Sequence, residues 1–136
     1  MLPMQICVLP DVSRPLLDKF YRAHQSPMRG KGEAQVWVVK NPEIIGALCL
    51  TPVDSGQWLT GLFVAPERRG QGIARHLIEA ALAEVTGKVW LFCHPELTEF
   101  YGRSGFKPVV ALPEGVAARL ARYSRTKSLI ALCRED

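Results

Sequence analysis

The chemistry of this chain of 136 residues concentrates in Leu62–Leu77, which reads LFVAPERRGQGIARHL. An apolar run ends at Val64, Pro66 breaks it, and Gly70 and Gly72 make a turn that runs straight into a helical pattern. Such a turn can aim several backbone N–H groups at one point, and the positive end of the helix dipole adds to them. The matching guest is a phosphate or pyrophosphate. Glycine suits the place because a Cβ would hold the phosphate away. Arg68, Arg69 and Arg75 add positive charge around it. A nucleotide P-loop needs GxxxxGK[ST], and no Lys follows Gly72; a dinucleotide GxGxxG needs a third glycine where Arg75 stands. By itself, a GxG turn ahead of a helix is a weak signal.

A second group of candidates lies in VWLFCHPELTEFYGRSGFKPV, where His94 follows an apolar run and Tyr101 begins Tyr-x-x-x-Gly-Phe. The four cysteines, Cys7, Cys49, Cys93 and Cys133, each sit in an apolar run with no CxxC pairing and no histidine at zinc-finger spacing. Buried, reduced core thiols are expected, and no metal. Cys93 beside His94 makes a poor nucleophile–base pair, because neighbours on a strand point to opposite faces.

These residues need elements to hold them. Gln5–Leu9 reads as a short strand. Ser13 can cap a helix that tolerates Pro15 in its first turn and carries Leu16, Leu17, Phe20 and Tyr21 as an apolar stripe. Gln25–Glu33 reads as a loop, with Pro27, Gly30 and Gly32 as breakers. Three strand patterns follow: Val36–Lys40, Ile44–Leu50 after a turn at Asn41-Pro42, and Trp58–Val64 after Pro52, Asp54, Ser55 and Gly56. Short connections predict an antiparallel meander. Gly61 inside the third strand points to a bulge or to close approach of something to the backbone.

The period then changes. Gly72–Val85 carries a wide helical stripe ended by Gly87, and Val89–Cys93 is apolar throughout, as the centre of a sheet requires. Pro95 begins a short helix that Gly105 closes. Phe106–Leu112 reads as a strand, Glu114–Tyr123 as a helix and Ser128–Cys133 as a last strand. The fold class is mixed α/β (α+β), with a central, mostly antiparallel sheet flanked by helices, in one domain over residues 1–136.

At Arg69-Gly70-Gln71-Gly72-Ile73-Ala74 the chain resembles the GNAT superfamily of N-acyltransferases, whose acyl-CoA loop reads [QR]-x-x-G-x-[GA]. The strand, short helix and Tyr-x-x-x-Gly-Phe that follow are similar to that family's second signature, so the resemblance covers nearly the whole chain. It implies acetyl-CoA as co-substrate and the following roles. Backbone amides over Arg69, Gly70, Gln71, Gly72, Ile73, Ala74 and Arg75 would cradle the coenzyme pyrophosphate. The backbone of Leu62, Phe63 and Val64 would pair with the pantetheine arm as an added strand and polarise the thioester carbonyl. Tyr101 matches the position that protonates the departing thiolate. His94 stands where the family often has Asn; it could contact the coenzyme, cap the helix begun by Pro95, or shuttle a proton.

The resemblance leaves the general base open. Many members place a Glu on the strand before the loop, and Trp58-Leu59-Thr60-Gly61 has no carboxylate. Glu33, Asp54, His24 and a water chain are the alternatives. On the acceptor side, Trp37, Trp58 and Tyr21 are candidates for an aromatic pocket, with core packing as the competing reading. Arg119, Arg122, Arg125 and Lys127 form a basic cluster, either a solvated face or a contact for phosphates.

Composition bounds the rest. Apolar residues make up 48% and charged residues 22%, the balance of a globular chain rather than a coiled coil or a disordered one. The net charge of +4 and pI near 9.0 suit an anionic ligand as well as nucleic acid. No recognition-helix or RNA-binding aromatic signature is present, so no nucleic-acid partner is expected. No apolar run approaches the roughly 18–20 residues of a membrane span. The N-terminal MLPMQICVLPD lacks a basic segment followed by a long apolar one, which predicts a cytoplasmic protein. The expected reaction is acetyl transfer to a primary amine on a small molecule or peptide, by direct attack in a ternary complex, in a monomer or homodimer. The alternative is a non-catalytic acyl-CoA-binding or regulatory module, which the missing strand carboxylate motivates.

Overall fold

The computed structural model describes residues 4–26, 28 and 32–135. The described residues form strands β1 (Gln5–Val8), β2 (Gln35–Lys40), β3 (Ile44–Val53), β4 (Gly56–Val64), β5 (Lys88–Cys93), β6 (Lys107–Pro108) and β7 (Ile130–Glu135). Helices α1 (Arg14–Ala23), α2 (Ile73–Leu82), α3 (Thr98–Gly102) and α4 (Glu114–Tyr123) complete the set. The sheet order is β1-β2-β3-β4-β5-β7-β6. Pairing is antiparallel for β1 with β2, β2 with β3, β5 with β7 and β6 with β7, and parallel for β4 with β5. The expected mixed α/β class and mostly antiparallel sheet are therefore seen, with β2, β3 and β4 as consecutive neighbours.

The chain divides into two compact units, one of Met1–Leu50 with Gly61–Glu84, the other of Thr51–Thr60 with Val85–Asp136. In the first, α1 lays Leu17, Phe20 and Tyr21 on Val36, Val38, Ala47 and Cys49. Leu16 does not join them: it is 52% exposed, because it sits one residue off the buried stripe. Helix α2 buries Ile73, Leu77, Ile78, Ala81 and Leu82, and the Ile73 methyl reaches 3.5 Å from where a Cβ on Gly46 would stand. In the second unit, Trp90 and Val116 are buried together with Val53, and Trp90 is 1% exposed.

Several boundaries depart from expectation. Ser13 occupies the position before α1 but makes no side-chain cap bond. A 3-10 turn over Asp11–Ser13 precedes the helix instead, and Arg14 reaches back to the Asp11 carboxylate. Helix α2 stops at Leu82, before Val85, and Gly87 turns the chain at φ +88°. The expected strand over Phe106–Leu112 shrinks to Lys107–Pro108. Val109 N–H still reaches the Ala131 carbonyl at 3.1 Å, but Val110 is 97% exposed, where the chain has left the sheet. The last strand is shifted onward to Ile130–Glu135. Pro27 and Gly30, read as loop breakers, lie outside the described residues. Of the four cysteines, all free, Cys49 and Cys93 are buried while Cys7 and Cys133 are only partly so.

Candidate functional site

In the first unit β4 leads into the glycine turn. Ala65 N–H bonds the Ile45 carbonyl at 2.8 Å, and a 3-10 turn over Pro66–Arg68 then redirects the chain. Gly70 (φ +81°) and Gly72 (φ +75°) both adopt the left-handed conformation that glycine takes without strain. Nothing lies within 4 Å of a Cβ built on Gly70, so it is the backbone angle, not crowding, that asks for glycine there. Gly72 is the residue before α2 and has no side chain to cap it, while His76 N–H makes the helix bond back to the Gly72 carbonyl at 3.1 Å. The N–H groups of Ile73, Ala74 and Arg75 form the first turn, where a helix leaves its donors unpaired and its dipole is positive. The turn itself is exposed. These are the features of an anion cradle.

Each of the three arginines around the turn has a partner within the fold. Arg69 Nε donates to the Val64 carbonyl at 3.0 Å, and its guanidinium lies 5.1 Å over the Phe63 ring. Arg68 reaches the Asn41 side-chain oxygen at 3.3 Å. Arg75 pairs on the surface with Glu79 at 3.2 Å, one turn along the helix. Arg68 and Arg69 thus fasten the turn to Asn41 and to the end of β4.

The middle of β4 holds a contact that no local pattern announced. Gly61 is left-handed (φ +66°), and the Tyr21 hydroxyl donates to its carbonyl at 2.7 Å. A Cβ on Gly61 would stand 2.8 Å from that hydroxyl oxygen. Tyr21 is 0% exposed, which removes it from any acceptor pocket. Burial pushes its phenol well above the usual tyrosine range. The Gly61 expectation, a close approach to the backbone, is thereby met by Tyr21.

The base candidates separate. His24, just past the end of α1, meets Phe20 edge-on and Phe63 at a tilt, at ring distances of 5.2 and 5.7 Å. It also lines a cavity of about 390 Å³ beside α1, together with Lys19, Lys40 and Glu43. Asp54 accepts from Val116 N–H at 3.1 Å and so caps α4 from a distant turn. Glu33 is exposed.

In the second unit His94 is exposed, and its Nδ1 accepts from Glu96 N–H at 3.1 Å, capping the turn that Pro95 begins. Of the three readings left open, capping is the contact that the geometry provides. Tyr101 lies in α3 with Phe100 and Phe106 against its ring at 5.0 and 6.1 Å. Its carbonyl receives the N–H groups of Ser104 and Phe106, a closing turn that Gly105 permits at φ +91°. Burial, with a smaller contribution from Cys93, pushes the Tyr101 phenol up to about 12.

Trp37 and Trp58 are both half-buried. Trp37 Nε1 bonds Gln35 at 3.0 Å. Trp58 packs between Phe92 and Tyr123 with the Arg119 guanidinium 5.3 Å over its ring. Arg119 thus leaves the basic cluster for a packing role, while Arg122, Arg125 and Lys127 stay exposed. Among the described residues no group of three or more His, Cys, Asp or Glu is placed to hold a metal ion. No helix among them is long and apolar enough to cross a membrane.

Comparison with known proteins agrees with this geometry. A family model described as an acetyltransferase (GNAT) domain matches residues 32–108, more than half of the chain. Among solved structures, Escherichia coli ElaA aligns at 18% identity and TM-score 0.69, over 99% of this chain and 100% of that one. The ribosomal-protein-S18-alanine N-acetyltransferase from Escherichia coli aligns at 15% identity and TM-score 0.73, over 97% and 93% of the two chains. N-acetylglutamate synthase from Neisseria gonorrhoeae, complexed with coenzyme A and N-acetyl-glutamate, aligns at 15% identity and TM-score 0.73, over 98% of this chain and 35% of that one. No curated protein matches the chain by sequence.

Proposed function

The chain belongs to the GNAT acetyltransferase family and is an acyltransferase, and from that premise we propose that it moves an acetyl group from acetyl-CoA to a primary amine by direct attack in a ternary complex. The observation that carries the reading is the uncapped first turn of α2 behind two left-handed glycines. In this reading the amides from Gly70 to Arg75 hold the coenzyme pyrophosphate, and the whole chain works as one catalytic domain.

The backbone of Leu62–Val64 receives the pantetheine arm as an added strand. An amide of the same segment polarises the thioester carbonyl as the amine nitrogen adds to it. The C–S bond then breaks, the sulfur leaves as thiolate, and the new C–N bond remains. Tyr101 donates a hydrogen bond to that thiolate. The attacking nitrogen sheds its proton to a base. His24 is the candidate we favour, because its ring rests on Phe63 within the coenzyme segment, whereas Asp54 is committed to α4. His94 contributes by fixing the start of the α3 segment, and any contact with the coenzyme would be additional.

Titration calorimetry with acetyl-CoA, followed by an acetyl-CoA consumption screen across amine classes, tests the reading. Binding with turnover on at least one amine class is expected. Binding with none would favour the non-catalytic acyl-CoA-binding module, and absence of binding at millimolar coenzyme would refute both.

A further inference from the structure

We propose that Tyr21 is a positioning residue for acyl transfer: its hydroxyl clamps the Gly61 carbonyl and so sets the direction of the Leu62 N–H that meets the thioester carbonyl. The assignment rests on the reading of Leu62–Val64 as the thioester segment.

A trans peptide is planar, so the carbonyl of Gly61 and the N–H of Leu62 point to opposite sides of one rigid unit. Fixing the oxygen fixes the hydrogen. Gly61 needs such a fixture more than another residue would, since it is left-handed within a strand and glycine has several backbone conformations within reach. Tyr21 supplies it at 2.7 Å, the favoured length for an O–H···O bond. The phenol cannot wander: it is wholly buried on α1, with the Phe20 ring at 5.8 Å and Cys49 beside the hydroxyl.

The clamp also acts electronically. A carbonyl that accepts a hydrogen bond polarises its peptide, which makes the N–H on the far side a better donor. Tyr21 therefore both aims and strengthens the Leu62 donor without touching substrate. Because the phenol stays protonated throughout the physiological range, this contribution does not vary with pH there.

The test is Tyr21→Phe in the full chain, which keeps the ring and removes the hydroxyl. A misdirected oxyanion donor is expected to lower kcat by about 10- to 100-fold, short of the roughly 10²–10³ seen when a donor is deleted outright. Coenzyme A affinity by calorimetry and KM for acetyl-CoA should stay near their wild-type values. Leu17→Ala disturbs the same core without reaching Gly61 and should keep its kcat at temperatures where the fold persists. Wild-type kcat in Tyr21→Phe would overturn the assignment, as would an equal loss in Leu17→Ala. A readout independent of turnover is the Leu62 amide resonance in ¹⁵N-labelled protein, expected to shift and broaden in Tyr21→Phe; a single sharp signal at the wild-type position would refute the clamp. A wild-type protein inactive on every amine would sink the proposed function and the catalytic half of this assignment, while the Leu62 resonance still decides whether Tyr21 orients the peptide.

Discussion

Substituting Tyr101 by Phe measures how the departing thiolate is stabilised. Burial holds the phenol up to about 12, above the range of an alkyl thiol, so complete proton transfer from it to the departing thiolate is uphill. In the proposed reading Tyr101 donates a hydrogen bond that solvates the leaving sulfur, and a hydrogen bond to a charged group is worth about 1.5–3 kcal/mol. Tyr101→Phe should then lower kcat by about 10- to 150-fold, with coenzyme A affinity little changed because the thiol of the free coenzyme is neutral. The assay is chromatographic separation of coenzyme A from acetyl-CoA after timed reaction, corrected for spontaneous hydrolysis and followed up to about pH 11. A donor with this acidity stays competent across that range, so its deprotonation adds no falling alkaline limb below about pH 11. Unchanged kcat in the variant would refute the role; a falling limb centred near pH 10 in the wild type and missing from the variant would refute the raised acidity.

Three further outcomes are expected. Tyr101 is about 12 in the fold against 10.0 for an ordinary tyrosine, so the unfolded chain sheds its proton first; its contribution to stability is whole below about pH 10 and is lost as pH rises towards 12. Urea midpoints across that window should fall, and Tyr101→Phe should fall less; a flat profile in the wild type contradicts the shift. Gly72→Ala forces a Cβ into a left-handed backbone with no serious clash, His76 being 3.8 Å away, so it should cost about 1–2 kcal/mol by thermal melting and weaken coenzyme binding. Asp54→Ala removes the cap on α4 and should cost about 1 kcal/mol with kcat unchanged; a large loss of kcat at full folding would return Asp54 to the list of bases.

What could be read from the sequence was whatever is local. The Gly70 and Gly72 turn, the helix behind it, the apolar β5 and the Tyr101-to-Phe106 segment each carry their signal within a few residues. Gly61 flagged its own irregularity. The partner that explains it, Tyr21, lies 40 residues away, and Asp54 meets Val116 across 62; no short pattern encodes either. Arg68 and Arg69 looked like ligand charges because spacing shows that a guanidinium is near a turn but not which carbonyl it faces. The strand expected over Phe106–Leu112 failed for the complementary reason. Its residues have strand-forming chemistry, but the regular pairing with β7 covers Lys107 and Pro108, the Val109 N–H adds one bond to Ala131, and Val110 faces solvent.

Under the proposed function, the bare start of α2 would tie folding to occupancy. Gly72 has no side chain to satisfy the first amides of α2, so in the proposed reading the coenzyme diphosphate would double as the missing terminator of that helix. Saturation at a hundred times the dissociation constant would add about 2.7 kcal/mol to the folded state. A cell depleted of coenzyme would then hold a looser, more protease-sensitive population of this enzyme, and abundance itself would follow the acyl-donor supply.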